Sequence, residues 1–477
     1  MDVNAVTGTF TVPDGVEVTG RGTLDSAFDV SGLAVASIAA AGNAVAELAE
    51  RLGGVRGAVT VDRDLASLWF GMSFRPDGWD LPPAWDAIAG DYPCADGWIR
   101  LHTNAPHHRA AALAVLGLPV DAPRDEVAAA TASRAGEELE AAIVTANGCA
   151  ALMRTHPQWE AHPQGAAVAS EPLVAWGAGH TVMDDGGTRE RARLATAARP
   201  LAGVRVLDLT RVIAGPVATR FLAMYGAEVL RIDPPDWHEP ALEPEMTVGK
   251  TCARLDLKTT DGIARLHELL AGADLFVHGY RPDALDRLGL GADALAGRYP
   301  GLVDVALDAY GWSGPWAARR GFDSLVQMSC GIAQAGMDHY GSDAPHPLPV
   351  QALDHATGYL VAAAAVHAWR ERLDGSVRSS RLSLARTAVE LLRTGPSTLA
   401  GEGGGTPDGD AGRAAAEAVT APVPPSPPDD WPAEQTAWGP GRRLPWPVDV
   451  PGVEAGTSLP ARGYGSAPAK WPSTSGD

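Results

Sequence analysis

Residues 204–235, VRVLDLTRVIAGPVATRFLAMYGAEVLRIDPP, read as strand, turn, helix and strand. An apolar run from Val204 to Leu209 meets a turn holding Gly215 and Pro216. A helical pattern follows, and a second apolar run spans Glu228 to Ile232. Such a βαβ unit belongs in a parallel sheet covered by helices. Ligands of these sheets sit at the carboxyl ends of the strands, where helix N-termini offer unpaired N–H groups to anions. Pro216 suits the first turn of the helix, and Gly215 lets backbone approach a ligand. The three glycines of a dinucleotide fingerprint, G-x-G-x-x-G, are absent after the first strand.

The stretch LDLTRVIAGPVATRFLAMYGAEVLRIDPP resembles the opening of the large domain of the family III CoA-transferases, which include formyl-CoA transferase and α-methylacyl-CoA racemase. The likeness continues through ARLDLKTTDGIARLHELLAGADLFVHGYRPDALDRLGLGADAL (253–295) and YGWSGPWAARRGFDSLVQMSCG (310–331). It reaches LDHATGYLVAAAAVHAW (353–369), where the family keeps its catalytic aspartate ahead of a helix. The resemblance implies an α/β fold: a Rossmann-like, parallel-sheet large domain with a smaller α+β domain.

A chain of 477 residues exceeds a single core, which predicts two domains with extensions. A formal net charge of −20 argues against nucleic-acid or anionic-membrane partners. A polyanion such as CoA then needs a local basic pocket. Arg211, Arg220, Arg231, Arg254, Lys258, Arg281 and Arg287 cluster around the βαβ segment, and most are expected to be ordinary surface charges. Cys94, Cys149, Cys252 and Cys330 lack C-x-x-C spacing, which predicts free buried thiols in a reducing compartment. The start, MDVNAVTGTFTVPDGVEVTG, has no basic and apolar signal pattern, and the apolar stretches 33–46 and 359–369 are expected to be too short for a bilayer. A cytoplasmic location is the expectation.

FDVSGLAVASIAAAGNAVAELAERLGGVRGAVTVDRDLASLWF (28–70) is similar to LDHATGYLVAAAAVHAWRERLDGSVRSSRLSLARTAVELL (353–392). Both run from an apolar–Asp pair into a small-residue helix, an Arg-Leu and a glycine turn, then an apolar alternation. On this reading Asp29 takes the place of Asp354. GDYPCADGWIRLHTNAPHHRAAALAVLG (90–117) and ELEAAIVTANGCAALMRTHPQWEAH (138–162) resemble the family's small domain. The expected organisation is a partial repeat of the catalytic-helix segment at 1–75, the small domain at 76–175 and a linker at 176–200. The CoA-binding large domain follows at 201–395, and an extended Pro/Gly-rich segment at 396–477. Only 28 residues precede Asp29, too few for a βαβ sheet, so one CoA site is expected. The tail carries Trp431, Trp438, Trp446 and Trp471, a heavy apolar load, and is expected to lie as a strap on the domain surface.

Read alone, Asp354 is a helix N-cap whose carboxylate the dipole keeps ionised. The resemblance makes it the nucleophile of an acyl-CoA:carboxylate CoA-transferase that works through an aspartyl-CoA thioester. CoA and acyl-CoA are then substrates, a small carboxylic acid is the acceptor, no cofactor is held permanently, and a homodimer is expected. The resemblance places Arg211, Val212, Ile213 and Ala214 at the turn that meets CoA. It puts Leu255 and Lys258 near the pantetheine or adenine, and Arg287 near the phosphates. Pro234 and Pro235 follow Asp233 where the family often has a base. The racemase branch pairs its Asp with a His at the position of Phe322, so racemisation by Asp354 is the second reading, and His355 is a poor substitute. A third is a silent partner subunit. LHTNAPHHR, with His102, His107 and His108, lacks the Cys or carboxylate partners of a metal site. It is expected to be a loop, exposed or lining a domain interface.

Overall fold

The computed structural model describes residues 10–182, 187–394 and 431–471. Its main sheet runs Lys250–Arg254, Glu228–Asp233, Arg205–Leu209, Leu275–His278, Val303–Asp308, Ser380–Ser383 and Ala175–Trp176. The first six strands are parallel and the last is antiparallel. Among the six, chain order reverses between Arg205–Leu209 and Leu275–His278, the arrangement of a doubly wound α/β fold. The strands are buried on both faces, so RVLDL, EVLRID and LFVH are apolar with little alternation. The fold class is therefore α/β, with a parallel sheet as its frame.

A second sheet repeats one edge of the first. Val16–Thr19 pairs parallel with Val59–Asp62, and Val448–Asp449 adds antiparallel. In the main sheet Val303–Asp308 pairs parallel with Ser380–Ser383, and Ala175–Trp176 adds antiparallel. Each edge strand comes from the other half of the chain. The segment 176–200 is thus not a plain linker: its first residue closes the main sheet, His180–Thr181 pairs with Ser376–Val377, and Arg191 holds Asp274 at 2.6 Å.

A long helix follows the first strand of each pair: Val30–Arg51 and Ala352–Leu373, each of 22 residues. Their faces are alanine and glycine, and the helices pack on each other in parallel. Arg51 meets Asp374 at 2.6 Å, and Arg370 pairs with Glu47. The first helix extends beyond the apolar stretch 33–46. Among the described residues it is the one helix long and apolar enough to cross a membrane, and most of its apolar window is buried inside the protein.

The matched helices correct one expectation. Their N-caps are Asp29 (φ −74°, ψ 71°) and Gln351 (φ −74°, ψ 64°), and Gly53 and Gly375 close both with positive φ. Asp29 therefore corresponds to Gln351, and Gly32 to Asp354. An apolar–Asp pair invites the wrong alignment because it ignores where each helix begins.

The small domain holds the antiparallel strands Gly90–Cys94, Gly97–Leu101 and Ala150–Leu152. Alternation splits their side chains. Ile99 and Leu101 pack under the domain's own helices, while Trp98 and Ala151 join Leu325, Met328 and Phe322 of the large domain. The Arg154 N–H donates to Met328 O at 2.9 Å across that junction.

Of the tail, residues 431–471 lie on both halves. Trp446 packs edge-on against Trp69 with ring centroids 4.9 Å apart, and its Nε1 donates to the Tyr225 hydroxyl at 3.1 Å. Trp471 donates to Leu269 O at 3.0 Å. Arg443 reaches Glu245, which is fully buried and also pairs with Arg220. The glycine-rich stretch 401–412 lies outside the described residues.

Candidate active site

Asp354 is the third residue of its helix, behind the N-cap Gln351, and makes no cap bond. It is 7% exposed. Gly358, one turn on, lets the helix approach Ala214–Met224 so closely that a Cβ there would lie 2.5 Å from Ala214 O. The start of the Asp354 helix is thereby packed beside the turn that begins at Arg211.

The sequence reading missed the nearest partner of Asp354. Asp323 opens the helix Asp323–Ser329 and is fully buried. Its Oδ2 accepts the Asp354 backbone N–H at 3.0 Å, and its Oδ1 accepts the Gln327 side-chain amide. Gln327 is itself fixed, since its Oε1 accepts the Leu348 N–H at 2.7 Å. Burial pushes the Asp323 carboxyl up to about 6, against the pull of these donors. Burial, and then the Asp323 charge, raise the Asp354 carboxyl well above the ordinary range. Desolvation and a like charge thus act on Asp354 against the helix dipole, which is worth typically about 0.3–1 kcal/mol. The signal in GFDSL was faint, because Asp at a helix start is ordinary.

Phe322, beside Asp323, lies flat on His102 of the small domain, with centroids 3.7 Å apart and planes 6° from parallel. His102 and His108 are 5% and 3% exposed at the domain junction; His102 follows the strand Gly97–Leu101 as expected of a loop, but His107 and His108 lie in the helix Pro106–Leu116. Burial, then Arg100 and His108, lower the His102 imidazole well below its usual value. His355 turns away and stacks on Phe70 of the N-terminal half, at 5.4 Å.

At the carboxyl end of Arg205–Leu209, Arg211 donates to the Tyr280 hydroxyl at 3.1 Å and lies over the Trp237 ring at 4.7 Å. This is the topological switch point, since Tyr280 follows Leu275–His278. Val212 has φ 63°, a conformation a β-branched residue adopts only under strain, and its N–H donates to Glu239 Oε1 at 2.9 Å. Ile213 and Ala214 are buried in the core. Lys258 is exposed, 3.7 Å from Asp236. Leu255 packs on the outer helix layer, and the exposed Arg287 ends the helix Pro282–Arg287. Partial burial, then Arg320, Arg211 and Lys258, with Asp236 opposing, lower the His107 imidazole; the small-domain helix thus starts at the rim carrying those cations.

Three of the clustered basic residues are not surface charges available to a ligand. Arg220 and Arg231 are buried in ion pairs. Arg254 donates to the carbonyls of Pro234, Pro235 and Trp237 at 2.6–2.9 Å, which occupies its guanidinium. The four cysteines are free and buried. Among the described residues no cluster of metal-ligating side chains occurs.

Residues 201–420 match the model of CoA-transferase family III. Over 187 residues the chain is 35% identical to the acetyl-coenzyme A transferase nodX of Hypoxylon pulicicidum, covering 38% of this chain and 32% of that one. It is 33% identical to the probable fatty acyl-CoA transferase Rv3272 of Mycobacterium tuberculosis, covering 37% and 48%. It is 34% identical to mouse succinyl-CoA:glutarate CoA-transferase, covering 28% and 34%. The chain thus spans a third to a half of the length of these relatives. A crystal structure of Rv3272 superposes on 41% of this chain and 58% of its own, with 32% identity and a TM-score of 0.38.

Proposed function

We propose, for a chain whose residues 201–420 match the model of CoA-transferase family III, that it moves CoA from an acyl-CoA to a free carboxylic acid with Asp354 as nucleophile. The observation that carries this reading is the buried Asp323–Asp354 pair beside the Arg211 turn. A carboxylate in water is a poor nucleophile towards a thioester, because its hydration shell must be shed. Asp354 is already stripped of water, so its anion, once formed, is reactive.

In the proposed cycle the ionised Asp354 adds to the thioester carbonyl. The C–S bond breaks, and CoA leaves as a thiolate from an aspartyl mixed anhydride. The thiolate then adds to the aspartyl carbonyl, and the first acid departs from an aspartyl-CoA thioester. An incoming carboxylate runs both steps in reverse. Arg211 and Lys258, with His107 across the rim, are proposed to hold the anionic end of CoA. Leu255, Val212, Ile213 and Ala214 would line its path, and Arg287 would reach the phosphates from outside.

Phe322 cannot exchange a proton, which favours transfer over racemisation. The test is to mix the protein with acetyl-CoA or succinyl-CoA, quench in acid, and map peptides by mass spectrometry. A CoA adduct on the peptide carrying Asp354, lost in Asp354→Asn, is the expected result. Absence of any adduct, with deuterium entering the acyl α-carbon instead, would replace transfer by proton chemistry.

A further inference from the structure

The small domain sets two buried imidazoles against Phe322 and Ser324, the residues flanking Asp323, and their nitrogens are poorly satisfied. His102 Nδ1 has only a long contact, 3.5 Å to Ser324 Oγ. Both ring nitrogens of His108 are buried without a hydrogen-bond partner. Buried polar atoms are normally paired, and exceptions point to a ligand or ordered water that completes them. His107 and His108 also touch at 4.1 Å, and His108 meets the edge of Phe322 at 6.0 Å.

His102 is held in a fixed plane. Phe322 covers one face, and Trp85 stands edge-on at 5.6 Å, itself covered by the Arg100 guanidinium at 5.0 Å. Phe322 is also the residue next to Asp323, whose carboxylate holds the Asp354 N–H. One short segment, 322–324, therefore touches both His102 and Asp354. Arg100 and the apolar walls disfavour the imidazolium, so His102 acts as a neutral donor and acceptor.

We infer that His102 is a binding residue for the carboxyl group of the acid that exchanges CoA at Asp354, donating a ring N–H to its oxygen, with His108 completing the pocket from behind. The inference rests on the transfer reading for its ligand class. A neutral N–H in a pocket walled by Phe322 and Trp85 suits a carboxylate, because it pairs the oxygen without adding a cation that would quench Asp354. A purely packing role for His102 would need only its flat ring.

The experiment separates those roles in the full-length chain. His102→Phe keeps the flat ring and removes the donor, while His102→Gln keeps a neutral donor. Acetate, succinate and benzoate are titrated by calorimetry into protein saturated with CoA, and CoA exchange is followed with the same acids. His102→Phe should weaken carboxylate binding and raise the acceptor KM by about tenfold or more, with the acyl-CoA KM within twofold of wild type. His102→Gln should recover most of the loss. Equal carboxylate binding and acceptor KM in His102→Phe and wild type would overturn the assignment while leaving transfer intact. If wild type binds the acids through His102 but exchanges no CoA, the transfer reading falls and the binding residue stands. Should His102→Phe fail to fold, His102→Met against His102→Gln makes the same comparison: equal binding overturns the assignment, and weaker binding by Met supports it.

Discussion

Gly32 stands in its helix where Asp354 stands in the other: each lies three residues beyond the N-cap, Asp29 in one and Gln351 in the other. The two environments differ completely. Asp29 accepts the Gly32 N–H at 2.7 Å and meets Arg63 at 3.1 Å, at the surface. A Cβ on Gly32 would lie 2.1 Å from Asp29 Oδ2. The N-terminal copy therefore keeps the helix and its cap and has no carboxylate at the reacting position.

Asp29→Ala should leave CoA exchange unchanged and cost about 1 kcal/mol from the lost cap. Asp354→Asn should abolish exchange while raising the melting temperature near neutral pH, because it removes a buried ionisable group beside Asp323. Thermal melts and exchange assays on both variants test this, and an inactive Asp29→Ala protein would contradict the helix correspondence.

Asp323 should set the pH dependence. Since burial and the Asp323 charge raise the Asp354 carboxyl, turnover should grow with pH as Asp354 ionises, above the usual carboxylate range. Asp323→Asn removes the like charge, so the acid limb should move to lower pH. The stability sign is also set. Folded-state values raised above the unfolded ones contribute stability that is full in acid and is lost as pH rises through about 6 for Asp323. Asp323→Asn should flatten that decline. A profile unmoved by the substitution would remove Asp323 from the site.

Arg211→Ala and Lys258→Ala should each raise the acyl-CoA KM more than they lower kcat, because contacts to the remote end of CoA hold ground and transition states alike. Steady-state kinetics with two acyl-CoAs of different acyl length should give the same KM increase for both. Equal losses in kcat and kcat/KM would instead place these residues at the reacting carbonyl.

Arg443→Ala should unfasten the tail. Glu245 is fully buried and accepts the Ser73 and Phe74 N–H groups at 3.0 Å, with Arg220 and Arg443 as its counter-ions. Burial opposes its charge, but the two arginines and Ser73 outweigh it and hold the carboxyl at about 2. Removing one of its two counter-ions should destabilise the fold by less than the about 3–5 kcal/mol of a buried charge left unpaired, because Arg220 remains. Because the folded value is depressed, the stability from Glu245 is present above the unfolded carboxylate range and is lost as pH falls towards 2. Denaturation melts of Arg443→Ala at pH 7 and pH 3 should therefore differ from wild type more at pH 7.

The parallel-sheet unit, the turn at Arg211 and the long helix of Asp354 were legible in the sequence because each is local. Apolar runs, a glycine–proline turn and a small-residue helix leave their periodicity within a few tens of residues. The internal repeat was legible too, but its register was not, since helix starts are set by backbone geometry rather than by the nearest aspartate. Four features needed the tertiary structure: the Asp323–Asp354 pair, His102 under Phe322, the exchanged edge strands, and the Arg443–Glu245 tie. His102 and Ser324 are 222 residues apart, and Glu245 and Arg443 are 198 apart. Nothing periodic links such positions. They meet because the sheets close on strands from opposite halves, and burial at those meetings gives the carboxylates and imidazoles their chemistry.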